Sequence, residues 1–247
     1  MGTLDWAGAA NVRDIGGLPL AGGGSTAYGV IIRSGALDGI TTAGRDQVLA
    51  LQPSRIIDLR SSHEITQPSP LAGLDQFRHL PFVDPARDAE RDPATERSRS
   101  DLYRGSLYRN GKHVARIWAE IAEADAGPVI IYCRSGVDRT GMLVALLLSV
   151  AGVEDKRIGE DYALDTGAAS QPATLSISQQ NTRRPAWAMG PPQAQTMIDV
   201  LDWLNTDYGG AAGYLTSHGV TNGYVAAVKG RLTDHARSTS ESSDFQS

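Results

Sequence analysis

The stretch Pro128–Val150, "PVIIYCRSGVDRTGMLVALLLSV", decides the fold of this 247-residue chain. Its first part, "PVIIYC", is a short apolar run rich in β-branched residues, which is typical of a buried strand. "RSGVDR" is short and polar, and "TGMLVALLLSV" is apolar on all sides, as a buried helix is. The stretch therefore predicts a strand, a tight loop and a helix, in that order.

The rest of the chain contains the same kinds of pattern. Two helical patterns, "TTAGRDQVLALQP" (41–53) and "KHVARIWAEIAEA" (112–124), alternate with strand patterns, and the chain turns almost wholly helical after Gly141. This alternation predicts an α/β fold with a central, mostly parallel sheet flanked by helices, and with additional helices at the C-terminus. The other strand patterns are "GVIIRSG" (29–35), "SRIIDLR" (54–60) and "RHLPFV" (78–83).

The domain organisation follows from composition and length. Hydrophobic residues make up 41% of the chain, enough for a sizeable core, and we predict a single domain over residues 1–237. Two polar segments, 85–112 and 167–192, interrupt the pattern, and loops of this length are usually lids or solvated excursions. The segment 238–247, "STSESSDFQS", lacks the apolar content needed for folding and predicts a disordered tail.

Composition also excludes several classes of protein. With 23 basic and 28 acidic residues the net charge is -5, which argues against a nucleic-acid or anionic-membrane binder, so an anion site must be local. The longest apolar run, 142–153, is too short to span a bilayer, and no targeting signal is visible. A single cysteine excludes internal disulfides and predicts a reducing compartment, the cytoplasm. The five histidines show no metal-ligand spacing, so neither a metal nor another cofactor is expected.

Cys133 stands at the end of the predicted strand, facing the N-terminus of the predicted helix. A tight loop before a helix presents backbone N–H groups and a positive dipole, which together bind a phosphate-like anion. That potential, with Arg134 and Arg139 nearby, would stabilise a thiolate. A lone cysteine at a strand end is more often a packing residue, but two arginines beside it are hard to explain as core.

The neighbours of Cys133 suit a nucleophile that attacks a phosphoryl group. Arg139 follows after five residues, and its planar fork can hold two phosphoryl oxygens. Asp138 can protonate a leaving oxygen if its side chain turns toward the substrate. The expected phosphate-binding residues are Arg134, Ser135, Gly136 and Val137 in the loop, Thr140, whose hydroxyl can donate to the sulfur, and Gly141, which lets the backbone pass closely.

Other cysteine or phosphate loops compete with this interpretation. A nucleotide-binding loop is excluded, because "GVDRTG" lacks the required lysine before Ser or Thr. A rhodanese-like sulfurtransferase remains an alternative, although the loop of that family is typically one residue shorter between cysteine and arginine. A non-catalytic phosphate-binding module is the second alternative.

Several motifs in order resemble a known family. The pattern of Cys133, five residues, then Arg139, Thr140 and Gly141 is that of cysteine-dependent tyrosine and dual-specificity phosphatases. More closely, the chain resembles the bacterial atypical protein tyrosine phosphatases, the family of mycobacterial phosphatase B. The further motifs that carry this resemblance are "NVRDIGG" (11–17), "IIRSGAL" (31–37), "IIDLRS" (56–61) and "YGGAAGYLTSHGVT" (208–221).

The resemblance implies a metal-independent phosphate monoester hydrolase with a phosphorylated substrate. Cys133 would be the nucleophile of a phosphocysteine intermediate, Arg139 the oxyanion clamp, and Asp138 the acid and then the base. Asp84 in "LPFVDP" is the alternative acid, by analogy with phosphatases that carry the acid on a separate loop, although a strand-ending turn residue before proline explains it more simply.

Four further charged residues are each open to two interpretations. Asp58 and Arg60 end a strand at the carboxyl edge of the sheet, where ligand sites gather, so they either bind substrate phosphate or form a structural ion pair. The same ambiguity applies to Arg13 and Arg33 in the family motifs.

The sequence in and just before the loop departs from the family pattern at four positions, one of which is Ser135 in place of the common alanine. Tyr132 stands where the family has a histidine that orients the loop, so we expect slower turnover. Val137 replaces a lysine linked to phosphoinositide binding, and Arg134 adds a cation at the mouth. A small phosphorylated metabolite, such as a nucleotide or sugar phosphate of a biosynthetic pathway, therefore rivals a phosphoprotein as the substrate.

Overall fold

The computed structural model describes residues 4–164 and 190–233. Within these ranges a five-stranded sheet has the order β1-β2-β5-β3-β4, in which β1 is antiparallel to β2 and the other neighbours are parallel. This confirms the predicted α/β fold with a mostly parallel sheet. The strands are β1 (Arg13–Asp14), β2 (Ile31–Ser34), β3 (Arg55–Asp58), β4 (Phe77–His79) and β5 (Val129–Tyr132).

Helices cover both faces of the sheet. Val48 of the first helix packs on one face, and the buried residues of α3 to α8 belong to the larger core on the other face. The α-helices in the described ranges are α1 (Thr42–Ala50), α2 (Pro85–Asp88), α3 (Arg99–Ala122), α4 (Asp138–Ala151), α5 (Asp155–Ala163), α6 (Ala194–Tyr208), α7 (Ala211–Ser217) and α8 (Asn222–Thr233). Within those ranges, none of the helices has the length and apolarity needed to cross a bilayer.

The central strand β5 sends its side chains alternately to the two faces, as strand geometry requires. Val129 and Ile131 belong to the larger core, whereas Ile130 and Tyr132 belong to the smaller one. Cys133 continues the alternation and lies with the larger core, beside α4. Neighbours in sequence, Tyr132 and Cys133 therefore lie on opposite sides of the sheet.

The helix α4 after the loop is buried almost all round, as its composition predicts. Of its residues only Ser149 is not buried. The helix ends at Gly152, whose φ of 96° is the left-handed conformation that terminates many helices. Because α4 is packed on nearly every side, it is a rigid support for the loop that precedes it.

The segment 85–112 is not the single long loop expected from its charge. Its second half is helical, because α3 begins at Arg99 with the Ser98 side chain accepting from the Asp101 N–H. Leu102, Tyr103 and Leu107 form the buried stripe of this half of the helix. Most of the charged residues of this half of the helix lie outside the buried stripe. The segment 167–192, apart from its last three residues, and the tail 238–247 lie outside the described ranges.

Candidate active site

The predicted strand, loop and helix lie at the middle of the sheet. β5 runs between β2 and β3, and the loop 133–137 joins its carboxyl end to the first residue of α4. Cys133 is buried, with only 1% of its surface exposed. This is the edge at which ligands bind in open parallel sheets.

The backbone of the loop is held from outside. Three consecutive carbonyls, those of residues 134–136, accept hydrogen bonds from other segments, and no cis peptide occurs in the described residues. In a trans peptide the next N–H points away from the carbonyl, so the N–H groups of residues 135–137 turn inward. Successive inward N–H groups form an anion-binding concavity. The donors are the Ala36 N–H to Arg134 (3.0 Å), Asn11 Nδ2 to Ser135 (3.1 Å) and Arg33 Nη2 to Gly136 (2.7 Å).

Gly136 is the one loop position where a side chain would not fit. Its φ is 72°, and a Cβ there would lie 2.6 Å from the Ser34 carbonyl oxygen. The left-handed conformation and the close approach both require glycine. The glycine thus lets the loop lie against β2.

A buried ionic cluster lies behind the loop and explains two of the family motifs. Asp161 of α5 pairs with Arg33 Nη1 at 2.8 Å and with Arg13 Nε at 3.5 Å, and all three side chains are at most 2% exposed. The Asp161 backbone carbonyl also accepts from Arg13 Nη2 at 2.9 Å. Arg33 therefore binds the loop through the Gly136 carbonyl, and Asp161 links Arg33 to Arg13. Sequence reasoning missed Asp161, although an acidic residue three positions after the buried Ile158 was a usable signal.

Arg139 is buried at the first turn of α4 and is held by Glu64. Its Nη2 donates to Glu64 Oε1 at 2.7 Å, and its Nη1 donates to the other carboxylate oxygen. Burial alone would raise the pKa of Glu64, but the hydrogen bonds and charge of Arg139 outweigh it and lower the pKa below its ordinary value. A guanidinium carries five N–H donors, so Glu64 accounts for two of them. Sequence reasoning missed Glu64, although "SSHE" has the spacing of a capping box, which Ser61 and Glu64 form.

Thr140 and Gly141 also lie at the start of α4. The expected hydrogen bond from Thr140 to the sulfur is not made, because its buried Oγ1 has no hydrogen-bond partner in the described part of the chain. Gly141 is close-packed instead against Tyr162, since a Cβ at Gly141 would lie 2.9 Å from that ring. The glycine is thus needed for packing against α5.

Asp138 is 4% exposed and is bound by a tyrosine that the sequence did not point to. Tyr103 Oη donates to Asp138 Oδ1, and it lies 2.7 Å from Tyr162 Oη. Burial, followed by the charge of Asp138, raises the pKa of Tyr103 well above its ordinary value. The phenol therefore stays protonated and able to donate at any physiological pH.

Asp58 and Arg60 lie in a separate buried network on the other face of the sheet. Arg60 donates to Asp58 Oδ2 at 2.7 Å and to Asp38 Oδ1 at 2.9 Å, and its guanidinium lies 5.4 Å from the centre of the Tyr132 ring. Tyr132 Oη donates to Asp58 Oδ2 at 3.0 Å. Burial first, and then the charge of Asp58, raises the pKa of Tyr132. These groups satisfy one another, which favours the structural alternative for the pair.

Asp84 is placed at the N-terminus of α2. Its carboxylate accepts from the Ala86 N–H at 2.9 Å and lies 3.7 Å from His113 Nε2. It lines a cavity of 460 Å³ with His113 and His218, whereas Asp138 adjoins the cysteine loop directly. Arg134, by contrast, is exposed at the mouth of the loop.

Comparisons with known proteins show which family the chain is similar to. The sequence model described as "Tyrosine phosphatase family" matches residues 4–234. A tyrosine-protein phosphatase of Nostoc commune is 29% identical over 215 aligned residues, which cover 81% of this chain and 73% of that protein. The triple specificity protein phosphatase PtpB of Mycobacterium tuberculosis is 26% identical over 280 aligned positions, covering 94% of this chain and 99% of that protein.

Proposed function

Because this chain belongs to the tyrosine phosphatase family, whose model matches residues 4–234, we propose that it hydrolyses phosphate monoesters through a phosphocysteine at Cys133. The observation that carries the proposal is the loop backbone. Its carbonyls at 134–136 are bound from outside, so the N–H groups of 135–137 converge beside the only thiol in the chain. The anion-binding N–H groups and the nucleophile then lie next to each other.

The proposed reaction has two steps. The Cys133 thiolate attacks phosphorus and forms an S–P bond, while the bond to the leaving oxygen breaks and that oxygen takes a proton from Asp138. Water then attacks the phosphocysteine, gives its proton to the Asp138 carboxylate, and the S–P bond breaks to restore the thiolate. The products are an alcohol or phenol and inorganic phosphate.

The surrounding groups stabilise the charge that builds up on the phosphoryl oxygens. The N–H groups of residues 135–137 and the Arg139 guanidinium are fixed before substrate binds, so little reorganisation is needed in the transition state. Glu64 fixes the plane of the Arg139 fork by holding two of its N–H groups. Thr140 has a buried hydroxyl available for the sulfur or for a phosphoryl oxygen. We assign Asp58 and Arg60 a structural role.

Substitution of the nucleophile tests the proposal. Cys133→Ser is expected to abolish hydrolysis of 4-nitrophenyl phosphate while vanadate still binds, because the cradle is made by backbone. Wild-type turnover should persist with a chelator present, since the thiol mechanism needs no metal. Unchanged turnover by Cys133→Ser would exclude the nucleophile, and sulfur transfer from thiosulfate to cyanide without phosphatase activity would establish a sulfurtransferase instead. Binding of phosphate without turnover in the wild type would identify a silent module.

The choice between the two candidate acids can be tested directly. Asp138→Asn is expected to slow esters with poor leaving groups far more than esters with good ones, because only the former need a proton. Asp84→Asn is the matched control, and we expect it to leave this leaving-group dependence unchanged. The opposite result would transfer the role of acid to Asp84.

A small phosphorylated metabolite is the second candidate for the substrate, and one observation favours it. Arg134 is exposed directly after the nucleophile, and its guanidinium makes no hydrogen bond or ion pair within the described residues. It can bind a second anionic group, such as a carboxylate or another phosphate. A panel of phosphopeptides, nucleotides and sugar phosphates, assayed with wild type and Arg134→Ala, decides the point. Loss of preference for doubly anionic substrates in the variant would support the metabolite.

Two broader inferences accompany the activity. We infer that residues 1–237 act as one domain, since the family match runs through residue 234 and the helices pack on a common sheet. We also infer a reducing compartment, the cytoplasm, because the mechanism needs a free thiol at Cys133.

A further inference from the structure

A chain of side-chain hydrogen bonds leads from the start of α3 to the carboxylate of Asp138. Arg99 and Tyr103 are four residues apart and share one face of α3, and Tyr162 approaches them from α5. The two tyrosine hydroxyls are 2.7 Å apart, and Tyr103 Oη donates to Asp138 Oδ1. The Arg99 guanidinium donates from Nη2 to the Gly190 carbonyl at 2.6 Å, and its charge acts on both phenols. All four side chains belong to buried residues, none more than 7% exposed.

We propose that Tyr162 and Tyr103, beside the Arg99 cation, form a directional hydrogen-bond relay that fixes which oxygen of Asp138 carries the catalytic proton. The inference rests on the proposed function, in which Asp138 is the acid. Tyr103 and Tyr162 are positioning residues in this scheme, because they reach the substrate only through Asp138.

The direction of the relay follows from the donors and acceptors available. A guanidinium has five donors and no acceptor, and the positive charge of Arg99 beside the two phenols favours hydroxyl hydrogens that point away from it. A hydroxyl has a single hydrogen, and that of Tyr162 is then best directed to the Tyr103 oxygen. The Tyr103 hydrogen is left for Asp138 Oδ1, the only other partner of its hydroxyl among the described residues. Arg99 thus sets the orientation of both hydroxyls.

The two tyrosines keep their protons while the acid works. Burial, followed by the charge of Asp138, raises the pKa of Tyr162 to about 12, and the same two causes raise the pKa of Tyr103 well above its ordinary value. Neither phenol can therefore take up the catalytic proton or release its own near neutral pH. The relay orients the Asp138 carboxyl without exchanging protons with it.

The consequence for the acid is a choice between its two oxygens. Oδ1 already accepts the Tyr103 hydroxyl hydrogen. A proton on Oδ1 would disfavour this hydrogen bond, so the acid carries its proton on Oδ2. Oδ2 has no hydrogen-bond partner in the described ranges, so its proton is free to move to the leaving oxygen. When that proton has left, Tyr103 stabilises the new carboxylate by a charge-assisted hydrogen bond.

The relay is built into the packing around α4. The rings of Tyr103 and Tyr162 meet edge to face with centroids 6.0 Å apart, and Tyr162 lies against Gly141. Asp161, the neighbour of Tyr162, pairs with Arg33, which holds the loop carbonyl of Gly136. The same short helix α5 therefore positions both the cradle and the acid.

Leaving-group dependence separates a positioning role from a merely structural one. The ratio of kcat/KM for 4-nitrophenyl phosphate to kcat/KM for phenyl phosphate measures the need for the acid, because kcat/KM reports on the step in which the leaving group departs. We expect Asp138→Asn to raise this ratio by roughly 10²-fold and Tyr103→Phe to raise it by about 10-fold. Tyr162→Phe should have a smaller effect in the same direction, because Tyr103 can still donate to Asp138. The double variant of Tyr103→Phe and Asp138→Asn should lose no more than Asp138→Asn alone, since both act on one step.

Tyr214 offers a matched control for the loss of a buried hydroxyl. Its ring is fully buried, and its Oη donates to the Leu107 carbonyl of α3 at 2.8 Å, within the same long helix that carries Tyr103. Tyr214→Phe should lower the melting temperature as Tyr103→Phe does, but it should leave the leaving-group ratio unchanged. A raised ratio in Tyr214→Phe would show that stability alone moves the readout, and it would overturn the relay.

The failure of the relay is distinguishable from the failure of the proposed function. If Asp138→Asn raises the ratio and folded Tyr103→Phe does not, the relay is wrong and Asp138 remains the acid. If Asp138→Asn leaves the ratio unchanged, the acid is elsewhere and both ideas fall. Should Tyr103→Phe fold poorly, Tyr162→Phe and Arg99→Leu take its place, and an unchanged ratio in both would equally overturn the relay.

Discussion

Arg139 and Arg60 are both buried arginines held by carboxylates near the carboxyl edge of the sheet, but they have different surroundings. Arg60 lies between Asp58 and Asp38, so two carboxylates surround one cation. Arg139 is paired with Glu64 and lies beside the inward N–H groups of the cysteine loop. The comparison teaches that burial and an arginine do not make an anion site. What matters is whether the positive charge near the ligand position exceeds the negative charge that the protein supplies.

The strand alternation decides which arginine lies on the same side of the sheet as Cys133, the proposed nucleophile. Tyr132 faces the smaller core with Asp58 and Arg60, whereas Cys133 faces the larger core and α4. The residue before the cysteine therefore belongs to the structural network and not to the reacting one. A tyrosine at this position anchors β5 to β3 through its hydroxyl.

The strongest test of this contrast is the same substitution at both arginines. Arg139→Lys is expected to lower kcat/KM for 4-nitrophenyl phosphate by about 10²-fold or more, because a point charge cannot replace a bidentate fork that stabilises the transition state. Arg60→Lys is expected to keep kcat/KM within roughly threefold of wild type, while it lowers the free energy of unfolding by about 1–3 kcal/mol through the loss of buried hydrogen bonds. Equal losses of activity in the two variants would contradict the division of roles.

Glu64 offers a smaller test through pH. Because the pKa of Glu64 in the folded protein lies below its ordinary 4.5, its ion pair contributes stability that is complete above pH 4.5. That contribution is lost as the pH falls through the lower folded value. Denaturation by urea at several pH values should therefore show wild type more stable than Glu64→Gln at pH 7, with the difference shrinking below pH 4.5. We also expect Glu64→Gln to lower kcat by about tenfold, since the Arg139 fork loses its orientation.

Tyr132→Phe should give the smallest effect. The substitution removes one buried hydrogen bond to Asp58 and costs about 1 kcal/mol of unfolding free energy, because Asp58 keeps its bonds to Arg60. The kcat and KM should not change, as the ring faces away from the sulfur. A tenfold change in kcat would instead couple the structural network to the loop.

Local sequence spacing was enough to predict the cysteine loop. A strand, a tight turn and a buried helix follow one another within 128–150, so the positions of Cys133 and Arg139 could be inferred without knowledge of distant residues. The strands β2, β3 and β5 were recognisable for the same reason. β1 has two residues, too few for any pattern, and the first half of α3 was hidden because its charges outnumber its buried stripe.

Local patterns could have drawn attention to Glu64 and Asp161, but the residues with which the supporting side chains pair could not be predicted, because the partners are far apart in sequence. Glu64 lies 75 positions from Arg139, Asp161 lies 128 from Arg33, and Tyr103 lies 35 from Asp138. A single sequence carries no record of such contacts. Each of these residues is polar at a position that the fold buries, and only the fold reveals that the position is buried.

The separation between Arg33 and Asp161 also has a consequence for how the chain is made. A ribosome completes the N-terminus first, so both Arg13 and Arg33 are synthesised long before the carboxylate that neutralises them in the folded protein. Burying two unneutralised cations is costly, and the N-terminal strands should remain unprotected until α5 has been translated. Hydrogen exchange on stalled nascent chains should show β2 amides protected only in chains that extend beyond Asp161. The anchor of the cysteine loop would then be one of the last parts of the molecule to assemble.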